Sequence, residues 1–524
     1  MSGTTRLDDP ATRVFVVGAG TMGAGIAQVA AAAGHGVRLF DAEETAVKRA
    51  LRTIGKNLEK AAVNGRLPAE LIPEIQKRIE PVATLDAASD AGLVVEAIVE
   101  SLPVKRELFQ RLEAIVADDT VLASNTSSLS ITALAKGMRR PGRVVGMHFF
   151  NPVPQMKLVE VVSGLHTLAG TAEAISVLAQ RWGKVPVLVR STPGFIVNRL
   201  ARPFYGEALA LLRERAAEPG VIDRCVRDAG FRMGPCALMD LIGHDVNFAA
   251  TEGVFQATFG DQRYLPSALQ RELVDAGWLG RKSGRGFFEY GEAAPPADAP
   301  PPPLLPGTAP PPATHAVVCG QGPLVERWCA LLARAGRLFE RREDAGFMGL
   351  VADGAELRLT DGRPAAAIAA SESVAEVAVF DLSLAVLAGS EPASLAWTAA
   401  QSASETWQRL APEWLAALGF RPERVADAAG LIVARTVAML INEAADAVLE
   451  GVCNAEAADL AMKLAMNFPA GPFEWLKIWD AREVVELLDH LDSTYRGARY
   501  RVSPELRQRA FSCQIEGHAR PMQS

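Results

Sequence analysis

Residues 13–41 limit what this chain can become more than any other stretch. A short apolar run over 13–17 leads into Gly18-Ala19-Gly20-Thr21-Met22-Gly23. An Ala-rich segment follows through Ala33, then Gly34-His35-Gly36, a second apolar run over 37–40, and Asp41. Read physically, this is strand, G-x-G-x-x-G turn, helix, strand and acid. Gly18 permits the tight turn, Gly20 lets the backbone approach a pyrophosphate, and Gly23 allows the helix to pack closely on the strand. The helix N-terminus then faces the phosphates. Asp41 falls about 20 residues on, where a carboxylate accepts from both ribose hydroxyls. The same carboxylate would repel a 2′-phosphate, so NAD is favoured over NADP. A glycine triplet alone is a weak signal, and Asp41 alone would be an ordinary turn residue; the ordered set is strong. Residues 15–37 lack Asp, Glu, Lys and Arg and superficially look like a membrane span. Their six glycines fit a nucleotide loop better.

Downstream, strand and helix patterns alternate, which predicts a parallel sheet with ligands beyond the carboxyl ends of its strands. A helix over 45–62 carries Lys48, Arg52, Lys56 and Lys60 four apart, a solvated stripe or a seat for a ligand with several phosphates. Strands are expected over 92–99 and 120–123, with a helix through Ala117 between them. The second of these feeds Ser124-Asn125-Thr126-Ser127-Ser128, a loop rich in hydroxyls and amides. Another apolar run, 144–147, places His148 at a strand's end, ahead of Phe149-Phe150-Asn151-Pro152. The run Lys157-Leu158-Val159-Glu160-Val161-Val162 is strand-like, and alternation puts Glu160 on the face of Leu158 and Val162. A carboxylate among apolar neighbours needs a partner. An imidazole whose tautomer is fixed by a carboxylate is a general base or acid working near neutral pH. Each piece has a plainer reading: a satisfied core histidine, a turn signal, a Glu160–Lys157 surface pair. Their order behind a nucleotide-binding signature favours chemistry.

At 524 residues the chain exceeds one core, and several domains are expected. With 22% charged and 49% hydrophobic residues it is of ordinary globular composition. A net charge of −7 argues against nucleic-acid binding. No membrane association is expected. Six scattered cysteines without a C-x-x-C argue against a metal site or a disulfide framework and fit a reducing cytoplasmic location. The N-terminal ten residues carry Asp8 and Asp9 and no apolar core, so no signal peptide is read there.

A Rossmann-type α/β domain with a parallel sheet occupies 12–191. A first mainly α-helical domain spans 192–290, with helices over 196–215, 221–229 and around 240–259. A linker over 291–313 holds ten prolines. A small α/β segment over 314–390 opens with Ala316-Val317-Val318-Cys319-Gly320-Gln321-Gly322 but lacks the third glycine and has Glu326 where phosphates would approach. It reads as a degenerate module with a structural role. A second helical domain spans 415–520 and repeats the first. Pro193-Gly194-Phe195-Ile196-Val197-Asn198-Arg199 is echoed by Ala429-Gly430-Leu431-Ile432-Val433-Ala434-Arg435. Glu207-Ala208 matches Glu443-Ala444, and Gly234-Pro235 matches Gly471-Pro472, an offset of 236 to 237 residues. Ala434 replaces Asn198 and Lys477 replaces Asp240, so the copy keeps its packing and loses polar function.

These motifs resemble the 3-hydroxyacyl-CoA dehydrogenase family in its longer bacterial form with two C-terminal helical domains, similar to 3-hydroxybutyryl-CoA and 3-hydroxyadipyl-CoA dehydrogenases. The resemblance is carried by Ser-Asn-Thr-Ser-Ser, by His-Phe-Phe-Asn-Pro-Val-Pro with Met-Lys-Leu-Val-Glu, and by Thr-Pro-Gly-Phe-Ile-Val-Asn-Arg. It implies that His148 is the base for the 3-hydroxyl proton and that Glu160 supports its imidazolium. It implies that Ser127 contacts substrate and that Asn198 helps hold the reacting oxygens. It places NAD contacts at Gly18, Gly20, Thr21, Met22, Gly23, Asp41, Glu100, Lys105, Ser127 and Asn151, with Lys282 reaching toward the cofactor. Without the family, Glu100 and Lys105 would read as a surface pair and Lys282 as a loop charge. Some members place a Ser and a Lys as coenzyme A contacts after the ribose acid; here Asn57 and Asn64 stand there, which leaves Lys56 or Lys60 for that grip.

The implied activity is NAD-dependent oxidation of an L-3-hydroxyacyl-CoA to the 3-oxoacyl-CoA, in fatty-acid β-oxidation or aromatic-acid (phenylacetate) breakdown. Its alternatives are a dehydrogenase of a non-thioester hydroxy acid and a non-catalytic binding protein that kept the fold. A hydratase fusion has no residues left to occupy. The two helical copies are expected to pair as an intramolecular pseudo-dimer, with homo-oligomerisation of whole chains left open.

Overall fold

The computed structural model describes residues 7–291, 315–391 and 393–519. All but the first residue of the proline-rich linker lies outside the described residues. The chain divides into two compact units. One comprises Met1–Arg199 with Glu450–Met466, and the other Leu200–Leu449 with Asn467–Ser524.

The first unit is built on eight short strands: β1 (Val14–Val17), β2 (Val37–Phe40), β3 (Ile79–Val82), β4 (Leu93–Glu96), β5 (Val121–Ser124), β6 (Val144–Phe149), β7 (Leu158–Ser163) and β8 (Val185–Arg190). Their order is β3-β2-β1-β4-β5-β6-β7-β8. The chain switches direction across the sheet between β1 and β4, which opens a crevice at their carboxyl ends. The central strands are buried on both faces, as helix-covered parallel strands must be: Val14–Val17, Leu93–Glu96 and Val121–Ser124 are buried throughout. The expected parallel sheet is interrupted once, because β6 and β7 pair antiparallel. The link 150–157 is shorter than the roughly dozen residues that a parallel crossover needs. His148 is the last residue but one of β6, at the strand's end as expected.

The second unit carries β9 (Ala316–Cys319), β10 (Phe339–Arg342), β11 (Gly349–Ala352), β12 (Ala355–Leu359), β13 (Val377–Phe380), β14 (Ser394–Ala399) and β15 (Arg421–Arg424). They form one sheet, ordered β10-β9-β11-β12-β13-β14-β15. The intervening α/β segment thus continues past residue 390 through two more strands. The single helix expected over 196–215 is two, Val197–Leu200 and Arg202–Arg213. Pro203 lacks an N–H and crowds the carbonyl four residues back, which breaks the turn at Ala201.

Within this unit the two helical copies meet through contacts that repeat at the sequence offset. Arg499 bonds Glu207 at 2.7 Å and Tyr500 Oη donates to Glu207 at 2.9 Å. Their counterparts Arg263 and Tyr264 bond Glu443, the counterpart of Glu207, at 3.3 and 2.6 Å. Such reciprocity is the mark of an isologous interface. Arg435 is fully buried and bonds Glu207 at 2.6 Å and Glu214 at 3.2 Å. The first unit holds the matching pair, Arg199 with Glu450 at 2.7 Å. Burial alone would raise the Glu207 carboxyl, but Arg499 and Arg435 outweigh it and hold it below the usual carboxylate range.

A buried ion pair that loses one partner leaves an uncompensated charge. Arg435→Met should therefore lower the free energy of unfolding by about 3 kcal/mol in urea melts. A change within about 0.5 kcal/mol, the range of neutral surface substitutions, would show that the pair does not hold the copies together.

Candidate active site

The site starts from a register. On the antiparallel β6–β7 pair, His148 lies directly opposite Glu160. Residues opposite each other share a face, so their side chains meet by construction. His148 Nδ1 is 2.6 Å from Glu160 Oε2, with Glu160 fully buried and His148 6% exposed. The other carboxylate oxygen, Oε1, accepts from the backbone N–H groups of Ile196 and Val197, both at 2.9 Å. With two amides donating to Oε1, a carboxylate oxygen facing Nδ1 acts as acceptor, which assigns the ring proton to Nδ1 and leaves the lone pair on Nε2. Phe150 and Phe195 flank the imidazole, with ring centroids 4.5 and 5.8 Å away. Phe195 adopts φ +50°, turning the chain so that the next two N–H groups reach Glu160.

The Ser124–Ser128 loop is fastened from below. Asn125 Oδ1 accepts from Phe149 N at 2.9 Å, which ties the loop to the end of β6. Glu100 Oε1 accepts from Thr126 Oγ1 at 2.6 Å, Ser127 N at 2.9 Å and Ser128 Oγ at 3.0 Å. Burial alone would raise the Glu100 carboxyl; Thr126, Lys105 and the Ser127 amide outweigh it and hold it low. Lys105 is 1% exposed, its ammonium 2.6 Å from Glu96 and 3.2 Å from Glu100. Asn198 Nδ2 donates to Ser127 O at 3.4 Å. His148–Glu160 and Asn198–Ser127 are thus two hydrogen-bonded pairs, brought together by the backbone of 196–198, whose first two amides bond Glu160. Lys282 belongs to the second unit, where it bonds Asp245 at 2.5 Å.

Sequence reasoning missed Glu96. Its side chain is fully buried and accepts from Lys105, from Ile98 N at 2.7 Å and from Ser124 Oγ at 2.6 Å. The signal was present: an acid closing the apolar run 93–95 at the carboxyl end of a buried strand. Lys184, also missed, donates to Val153 O at 2.5 Å and Met156 O at 2.8 Å, fixing the turn after His148, and burial pushes its ammonium down to about 8.

The dinucleotide crevice can be tested by adding a Cβ to its glycines. At Gly23 it would stand 1.8 Å from Gly18 O, so helix and turn are in contact there. At Gly20 it would meet nothing within 4 Å, leaving open the path a pyrophosphate takes. The helix Thr21–Ala32 has no acidic residue in its first turn and no side-chain cap, so its N–H groups remain for an anion. Asp41 Oδ2 accepts from Ala19 N at 2.7 Å, at the end of β2 beside the turn. The residues present fit NAD. Among the described residues no group of three or more His, Cys, Asp or Glu could hold a metal ion, and no helix is long and apolar enough to cross a membrane.

Fold and crevice together define an NAD-dependent oxidoreductase of Rossmann type. Comparison with known proteins narrows the class. The 3-hydroxyacyl-CoA dehydrogenase NAD binding domain matches residues 13–192, and the C-terminal domain of that family matches 194–290 and again 430–514. The reduced Rossmann-fold domain of 3-hydroxybutyryl-CoA dehydrogenase matches 357–428. A 3-hydroxyadipyl-CoA dehydrogenase of Escherichia coli (strain K12) is 42% identical over 499 residues, 95% of this chain and 97% of its own length. A probable 3-hydroxybutyryl-CoA dehydrogenase of Bacillus subtilis (strain 168) is 44% identical over 281 residues, 53% of this chain and 98% of its own. A crystal structure of 3-hydroxybutyryl-CoA dehydrogenase from Escherichia coli K12 is similar with a TM-score of 0.85 at 39% identity, covering 97% of this chain and 99% of that one. The chain belongs to the 3-hydroxyacyl-CoA dehydrogenase family, and its cofactor is NAD.

Two alanine substitutions separate cradle from scaffold. Gly20→Ala should keep the melting temperature within about 2 °C and weaken NAD binding at least roughly tenfold by titration. Gly23→Ala should destabilise the fold by about 2 kcal/mol or more. Equal behaviour of the two variants would contradict this division.

Proposed function

We propose that this chain oxidises the 3-hydroxyl of an L-3-hydroxyacyl-CoA to the 3-oxo group, with His148 as general base, Glu160 as its orienting partner, and Ser127 and Asn198 as polar groups for the reacting oxygen. The observation that carries this reading is the buried 2.6 Å contact between His148 Nδ1 and Glu160 on facing positions of β6 and β7. NAD, when bound, supplies the hydride acceptor at its nicotinamide ring. His148 Nε2, free of the carboxylate, takes the hydroxyl proton as the C3 hydride leaves. The charge created on the ring faces a buried carboxylate already in place, so little has to reorganise. Ser127 and Asn198 offer donors where the developing alkoxide stands, and such groups accelerate only by holding that oxygen better than the alcohol.

Gly18, Gly20, Thr21, Met22 and Gly23 would line the pyrophosphate, and Asp41 would accept from the ribose hydroxyls. Glu100 and Lys105, spent on the Ser127–Ser128 loop and on Glu96, would shape the nicotinamide side through that loop. We infer further roles for Asn151 beside the cofactor and for Lys282 in reaching it. A fatty or dicarboxylic acyl chain is consistent with the relatives, one described as acting on 3-hydroxyadipyl-CoA and another on 3-hydroxybutyryl-CoA. The five cysteines whose side chains are described are free thiols, in keeping with a reducing cytoplasm. The second helical copy would offer, within one chain, the surface that a second protomer otherwise provides.

His148→Ala should lower kcat by roughly 10²–10⁴-fold with NAD affinity retained, since general-base work is worth about that much. Near-normal turnover would sink the assignment. Glu160 has two duties, and two variants divide them. Glu160→Gln keeps an oxygen for the Ile196 and Val197 amides, so it should fold normally, lose rate and shift the pH profile. Glu160→Ala strands both buried N–H groups and should also lose about 2 kcal/mol or more of stability. If Glu160→Gln and wild type share one pH profile, the pairing has no catalytic role.

A further inference from the structure

The second sheet repeats the first where a nucleotide would sit. Gly18 N donates to Phe40 O at 2.8 Å, joining the turn after β1 to the last residue of β2. Gly320 N donates to Arg342 O at 2.9 Å, joining the turn after β9 to the last residue of β10. Strand registers agree, with Val17 beside Phe40 and Cys319 beside Arg342. Glu343 therefore occupies the place of Asp41. Even the link from turn to acid recurs: Ala19 N donates to Asp41, and Gln321 Nε2 donates to Glu343 at 3.3 Å.

The phosphate half of the site has been dismantled. Pro323 stands at the first position of the following helix, where Thr21 stands in the first copy, and it removes an N–H that a phosphate would use. Val325 replaces the third glycine and is fully buried. Glu326 lies in the helix's first turn, paired with Arg341 at 2.6 Å, and sets a negative charge against any anion approaching that end.

The space has not closed. A cavity of about 420 Å³ remains at the carboxyl ends of β9, β10 and β12, lined among others by Gln321, Glu343, Phe347, Trp479 and Glu483. That is within the range of about 300–1,000 Å³ typical of small-molecule sites. Its three arginines already have partners: Arg358 bonds Glu356 and Glu372, Arg363 bonds Asp361, and Arg482 bonds Asp480. Glu343 is itself 3.5 Å from Arg341, which it shares with Glu326, and Glu486 adds a further carboxylate, while burial pushes Glu483 up to about 7. Phe347 and Trp479 are among the cavity's lining residues, and the Phe347 ring carries the Arg358 guanidinium 4.2 Å from its centroid.

We propose that this cavity is a binding site for a nucleoside without phosphate, the ribose diol held by Glu343 and the base set against the edge of Trp479 that lines the cavity and the face of Phe347 that Arg358 leaves open. A carboxylate at the end of the second strand is the ribose-reading element of the dinucleotide fold, and base–aromatic stacking is sequence-tolerant and worth about 1–3 kcal/mol per base. Retention of that carboxylate, together with loss of the phosphate amides, selects the uncharged half of a nucleotide. The site stands apart from the dehydrogenase chemistry and does not depend on which acyl chain is oxidised.

The test is isothermal titration of adenosine into the full-length chain already saturated with NADH, which fills the first nucleotide site. One further site is expected. It should weaken at least roughly tenfold in Glu343→Ala, the loss of a charge-assisted pair of hydrogen bonds. Glu343 is more than half exposed, so the variant should fold and turn over as wild type does. AMP should bind at least roughly tenfold more weakly than adenosine. No heat from adenosine in the NADH-saturated chain, equal affinity in Glu343→Ala, or AMP binding as tightly as adenosine would each overturn the proposal.

Discussion

One buried carboxylate holds the site together. Glu160 is removed from water at a cost that only a full set of donors can offset. Its donors come from two directions: an imidazole on the neighbouring strand, and the first amides of the turn that leaves the sheet. Catalytic orientation and chain path are thus set by the same atoms. The antiparallel step between β6 and β7 makes this possible, since it places His148 and Glu160 face to face without any long connection.

The second half of the chain gives an internal comparison. In the strand that matches β6, Asp381 follows β13 at the place of His148. Its two oxygens accept from Ile432 N at 2.9 Å, Val433 N at 2.7 Å and Ala434 N at 2.9 Å. These are the counterparts of Ile196, Val197 and Asn198. Leu431 repeats the left-handed turn of Phe195, at φ +52° against +50°. The carboxylate anchor for the turn has been kept, moved across to the neighbouring strand, while the imidazole and Asn198 are gone. Burial, only partly offset by those amides, pushes Asp381 up to about 6. The comparison separates Glu160's two duties: anchoring the turn survives without catalysis, and pairing with a histidine does not.

Much of this was legible beforehand because it is local. The turn after β1 needs particular glycines, strand alternation puts Glu160 inward, and a repeat at fixed offset declares a duplicated fold. What escaped depends on contacts across the sheet. The antiparallel step required knowing which strands adjoin. Glu96 lay within a strand expected over 92–99, and its role shows only in the contacts with Lys105 and Ser124. Glu100 and Lys105 read alike as surface charges, yet one is a loop clamp and the other fully buried. The α/β segment ran past residue 390 because Leu395–Trp397, taken alone, is too short an apolar run to distinguish a strand from a turn of helix.

The central claim is that Glu160 fixes the His148 ring with its proton on Nδ1 and its lone pair on Nε2. Nitrogen-15 NMR of the imidazole in the neutral ring reads this directly. Nδ1 should be protonated and engaged in a strong hydrogen bond, with Nε2 unprotonated. A ring protonated at Nε2, with Nδ1 bare toward the carboxylate, would contradict it.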